Sequence, residues 1–214
     1  MPSDPSDGRS RRRLLAGLGT GLVAGLGGCA GRVPGAGPAD VESVETRTDR
    51  GIRWDYPPRP DSDRDGIGYA AATVRGLRER AAGGPALRLV LNSTVGGPTD
   101  ERTDYRADWF RFRVGPVPSA ADPAPRMRVQ PPPWPGLRVR YDGEGRRRWL
   151  VVRAPEVGAD GTVTFPVVVL PTDDLVPERL RCTFTVQASQ PGPTGRTVRT
   201  TGDGTLDVAG ALGR

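Results

Sequence analysis

In five stretches between residues 87 and 187 apolar side chains recur at every second position, and that is the period of a β-strand. Leu87, Leu89 and Leu91 alternate with Arg88, Val90 and Asn92. Phe110, Phe112 and Val114 alternate with Arg111 and Arg113, and Leu137, Val139 and Tyr141 with Arg138 and Arg140. Val163, Phe165, Val167 and Val169 form a further set, and Leu180, Cys182, Phe184 and Val186 another. Successive side chains of a strand point to opposite faces, so each set is expected to line a buried face and leave its arginines and threonines to water.

Turn chemistry separates these runs. Asp142-Gly143-Glu144-Gly145 reads as a hairpin, and Ala159-Asp160-Gly161 precedes the next strand. Gln190-Pro191-Gly192-Pro193 divides the Cys182 strand from a last one near Thr197–Val208, with Gly202-Asp203-Gly204 as a bulge or turn inside it. Seven to nine short strands punctuated in this way predict a mainly β chain, an antiparallel β-sandwich of immunoglobulin-like type with a barrel as the rival. One segment departs from the scheme. From 68 to 82, Ala70, Val74, Leu77 and Ala81 stand at helical spacing before Gly83-Gly84-Pro85, which predicts a short helix over a strand.

The first 28 residues read differently. Arg11 and Arg12 follow Ser10, an uncharged Gly-rich stretch runs to Gly28, and Leu26-Gly27-Gly28-Cys29 closes it. A charged start, a short apolar segment and a small-residue exit make an export signal. The 15 residues from Leu14 to Gly28 fall short of the about 20 that a membrane-spanning helix needs. The paired arginines match a twin-arginine signal, and Cys29 stands where a lipobox cysteine is acylated. The expected organisation is a signal peptide over 1–28, a flexible Gly/Pro stalk over 29–40 and a β-sandwich domain over 41–210. It places the domain on the outer face of the cytoplasmic membrane, held by lipid.

With that leader and strand pattern, the chain resembles the small twin-arginine lipoproteins abundant in halophilic archaea. The residues that carry the resemblance are Ser10 to Leu15, Leu26 to Cys29, and Phe184 to Gly192. The resemblance implies an immunoglobulin-like domain of unassigned function behind a lipid anchor. Those proteins are usually strongly acidic, whereas this chain carries a net charge of +6.

Two absences narrow the chemistry. The chain has no histidine and no lysine. That excludes Ser-His-Asp and Cys-His nucleophiles, His-ligated metals and a Lys Schiff base. From residue 29 on, 27 basic groups face 23 acidic ones, with no basic helix or zinc finger, so nucleic acid is not an expected partner.

The candidate sites in the domain are few. Asp61, Asp63 and Asp65 before Gly66 begin as a calcium loop does, but Ala72 stands where its bidentate Glu belongs and Arg64 lies within it. Asn92-Ser93-Thr94 is a glycosylation sequon. Cys182 falls on an apolar face, where a buried thiol is expected, with a bridge to Cys29 as the alternative. Arg146 to Arg148 could touch anionic lipid or phosphate, and Trp134 in a proline run could dock a partner. Among Tyr56, Asp108, Asp173 and Asp174, no spacing forces two acid–base groups together, so no catalytic residue is assigned. The expected function is a non-catalytic surface module that binds or spaces an envelope protein or glycan. The other reading is a carboxylate-dependent extracellular hydrolase, assisted by calcium.

Overall fold

The computed structural model describes residues 37–56, 67–80, 84–96, 105–117, 125–130, 136–143, 148–155, 157, 161–172 and 175–213. Their elements in chain order are β1 (Ala39–Glu42), β2 (Val44–Thr48), β3 (Gly51–Tyr56), β4 (Gly68–Glu79), β5 (Pro85–Val95), β6 (Arg106–Pro116), β7 (Arg126–Val129), β8 (Arg138–Asp142), β9 (Trp149–Pro155), β10 (Thr162–Leu170), β11 (Arg179–Ser189), β12 (Thr197–Asp207) and α1 (Val208–Ala211). The described residues thus hold twelve strands, more than the seven to nine expected.

The strands form two six-stranded sheets. Sheet A runs β1-β12-β11-β6-β9-β8 and sheet B runs β2-β3-β4-β5-β10-β7. Each ladder ends in its own edge strands, which makes the architecture a sandwich and not a barrel. Pairing is antiparallel except between β1 and β12, which run parallel. The chain changes sheets between β1 and β2 at Ser43, whose hydroxyl donates to the Thr201 carbonyl at 2.8 Å.

The inward positions of both sheets supply one core. Phe184 lies at its centre, 5.2 Å from the Trp54 ring and 5.6 Å from Tyr56. Phe112 meets Phe165 edge to face at 5.4 Å. Such aromatic contacts add about 0.5–1.5 kcal/mol each beyond the area they bury. The buried Tyr56 hydroxyl is matched by Ser93 Oγ at 2.6 Å, and that Oγ in turn donates to the Tyr69 carbonyl.

Three local expectations are corrected. Residues 68–79 form strand β4, not a helix. Ala70 and Ala72 are fully buried, directly opposite Trp54 and Ile52 of β3, so small side chains make room for large ones across the ladder. Pairing along both edges overrides the helix preference of alanine. The helical spacing arose from a bulge at Val74/Gly76, where Gly76 takes φ 120° and shifts the alternation by one residue.

Gly202-Asp203-Gly204 neither bulges nor turns, and β12 pairs with β11 in continuous register through it. The glycines serve packing instead. A Cβ on Gly202 would lie 2.2 Å from the Phe184 ring and 2.7 Å from the Trp54 ring, so the core aromatics occupy that space. The third correction is β8. Val139 and Tyr141 are 42% and 43% exposed, because β8 is an edge strand and not a buried one. The Tyr141 hydroxyl donates to the Met127 carbonyl of β7, closing that side of the sandwich.

Candidate functional site: an arginine face on sheet A

Strand register decides which outward side chains meet. On sheet A, Arg138 of β8 stands opposite Arg153 of β9, and Arg153 stands opposite Arg111 of β6. The same row continues to Thr185 of β11 and Thr201 of β12. One row along lie Arg140, Val151, Arg113, Thr183 and Asp203. Three arginines therefore sit side by side on neighbouring strands, with Arg113 and Arg140 beside them. Trp109, Arg111, Arg138, Arg140, Val151 and Arg153 line a shallow groove of about 370 Å³.

Like charges directly opposed across a ladder are destabilising, by a few tenths of a kcal/mol to about 1 kcal/mol. Among the described residues, Arg111, Arg113, Arg138 and Arg153 form no ion pair with a carboxylate, and Arg140 alone reaches one, Asp142 at 3.3 Å.

Aromatic rings hold some of these side chains in place. The Arg153 guanidinium carbon lies 5.3 Å from the Trp109 ring, and that of Arg113 lies 4.7 Å from Trp149. A guanidinium stacked on a ring keeps its in-plane N–H donors free while its stem loses rotational freedom. Arg153 and Arg113 are thus held as planar donors that, among the described residues, meet no carboxylate.

A second groove, of about 640 Å³, lies where β2 passes β12 and is lined by Glu45, Arg47, Trp149, Arg181 and Asp203 among others. Its charges are already matched. Arg47 reaches Glu45 at 2.8 Å, and Arg181 meets Asp203 through both of its carboxylate oxygens. Two carboxylates share this groove, but each is solvent-exposed and engaged by an arginine, unlike the desolvated pair that acid–base hydrolysis uses. Asp203 also holds the Arg181 guanidinium charged, raising its pKa.

The residues singled out in the sequence scatter. Arg11, Arg12, Cys29, Asp61, Asp63, Asp65, Trp134, Arg146, Arg147, Asp173 and Asp174 lie outside the described residues. Asn92 sits within β5, paired on both sides with Ala71 and Thr164, half-buried, its amide donating to the Tyr69 hydroxyl at 3.4 Å. Cys182 is free and buried, and burial first, then the charge of Asp203, pushes its thiol up to about 12. Burial likewise raises the Tyr56 phenol, which faces the core. Asp108 accepts from Gln187 and Ser189 on the outer face of sheet A, so it does not converge with Tyr56. Sequence reasoning missed the arginine row. Arg-x-Arg in two strands was its trace, but each pair alone looks like a solvated face, and the register that joins them is not written locally.

No protein-family model and no curated protein matches the chain. Among solved structures it is similar to the cohesin module from the family 33 glycoside hydrolase of Clostridium perfringens ATCC13124. The two share 10% identity at a TM-score of 0.38, over 66% of this chain and 96% of that one.

Proposed function

We propose that this chain is an exported, lipid-anchored, non-catalytic binding module that presents the outer face of sheet A to a component of the cell envelope. The observation that carries the binding role is the row Arg138, Arg153 and Arg111, a set of opposed like charges that meets no carboxylate among the described residues. The anchoring part rests on Arg11, Arg12 and the Leu-Gly-Gly-Cys run ending at Cys29. A single acyl chain holds a protein to a bilayer only marginally, so stable anchoring at Cys29 involves a second chain or a further contact.

The anchor is tested by detergent phase partitioning of the full chain beside Cys29→Ser, in a host with twin-arginine export. The wild type is expected in the detergent phase and the variant in the aqueous phase. Both proteins remaining aqueous and uncleaved would overturn the anchor while leaving the arginine face to be tested by itself.

A further inference from the structure

Resting on that reading of the arginine face, the geometry points to a linear acidic glycan, carrying carboxylate or sulfate groups, as its ligand. We infer that Arg138, Arg153 and Arg111 hold successive anionic groups of one polymer strand, with Arg113 and Arg140 on the adjoining row.

The argument starts from spacing. Neighbouring strands lie about 4.8 Å apart, and side chains on one face of a strand repeat every ~7 Å. The arginines therefore form a fixed lattice across β8, β9 and β6. One small anion engages a single fork of this lattice. A polymer that carries its anions on one chain engages several, and each contact after the first is intramolecular, which raises affinity without new chemistry. The guanidinium fork also matches the two oxygens of a carboxylate or the face of a sulfate.

The surroundings separate a glycan in water from a bilayer. Side chains that seat a protein in a membrane interface pair basic groups with apolar ones that insert. On β8 the exposed apolar side chains, Val139 and Tyr141, alternate to the opposite side from Arg138 and Arg140. The large rings on the arginine face, Trp109 and Trp149, are stacked by Arg153 and Arg113 and not free to insert. The face offers flat charge and ring edges, which suit a hydrated polymer.

The test uses the full chain carrying Cys29→Ser, so that no acyl chain contributes and its result does not depend on the anchor. Binding to polygalacturonate, dextran sulfate, uncharged dextran, duplex DNA and phosphatidylglycerol vesicles is measured across a salt series. Two further variants are compared. Arg111→Gln/Arg153→Gln removes two charges from the arginine face, and Arg88→Gln/Arg128→Gln removes two from the outer face of sheet B. The expected result is binding to both acidic glycans and not to dextran. In the sheet A variant, affinity falls at least tenfold and the salt slope by about two, one for each ion contact removed. The sheet B variant binds as the parent does. Equal losses in the two variants would overturn the site, as would no glycan binding at all. Tighter binding to DNA or to vesicles than to either glycan would overturn the ligand class.

Discussion

The outer face of sheet A has two halves that treat charge in opposite ways. Across β11 and β12, Arg181 is met by Asp203, and Arg199 donates to Gln187, so each cation has an acceptor nearby. Across β6, β9 and β8, arginine faces arginine, with tryptophans beside them and, among the described residues, only Arg140 meeting a carboxylate. Both halves rest on the same core and use the same backbone pairing. The balanced half shows that the backbone pairing by itself does not dictate opposed arginines. Beneath them the contrast reverses. The β11–β12 half lies over close aromatic packing, where Gly202 leaves space that Phe184 and Trp54 fill. The β8 edge overhangs, with Val139 and Tyr141 partly in water. One half covers the aromatic centre of the core, and the other carries the opposed arginines.

The largest expected effect breaks the first half from below. Gly202→Val adds a side chain where a single Cβ already meets two aromatic rings. Overpacking of this kind costs about 1–3 kcal/mol. Urea unfolding should show that loss, with near-UV circular dichroism changing as Trp54 and Phe184 shift. An unchanged midpoint would mean that the glycine is there for another reason.

A smaller effect sharpens the same half through pH. Cys182 lies beneath it, with a thiol raised from 9.0 to about 12. The folded state thus holds its proton more tightly than the unfolded state. Stability from this group is fully present below pH 9 and is lost as pH rises toward 12. Its slope is at most about 1.4 kcal/mol per pH unit. Tyr56, raised from 10.0 by burial, adds its own loss only above pH 10. Cys182→Ala should lower the starting stability and stay flat from pH 9 to 10, where the wild type already declines. Parallel curves for the two proteins in that interval would contradict the burial assignment.

The sandwich was legible in the sequence because alternation reports which face of a strand is buried. Leu87, Leu89 and Leu91, and Leu180, Cys182, Phe184 and Val186, all face the core as their spacing requires. Segment 68–79 was misread because alanine favours helices in isolation, and the Gly76 bulge turned a strand's alternation into a helix-like spacing. The role of Gly202 was hidden since it depends on rings from Trp54 and Phe184, 148 and 18 residues away in the chain. The arginine row was invisible for a related reason. Arg111, Arg138 and Arg153 stand in three separate strands, and only β6-β9-β8 pairing makes them neighbours. Local pattern reads faces well, but it does not read register between distant strands.

The central claim is that the arginine row is carried at a cost to stability and not for it. Its most direct test is the unfolding free energy of Arg111→Gln beside Arg181→Gln, at low salt and in 1 M NaCl. Arg111 faces Arg153, so removing its charge should raise stability by a few tenths of a kcal/mol. Arg181 faces solvent and is paired to Asp203, so its loss should lower stability slightly, the opposite sign to Arg111→Gln. Both differences should shrink in 1 M salt, where the screening length falls to about 3 Å. If Arg111→Gln instead loses more than about 1 kcal/mol, the row is structural, its stems covering the sheet, and the binding face loses its main support.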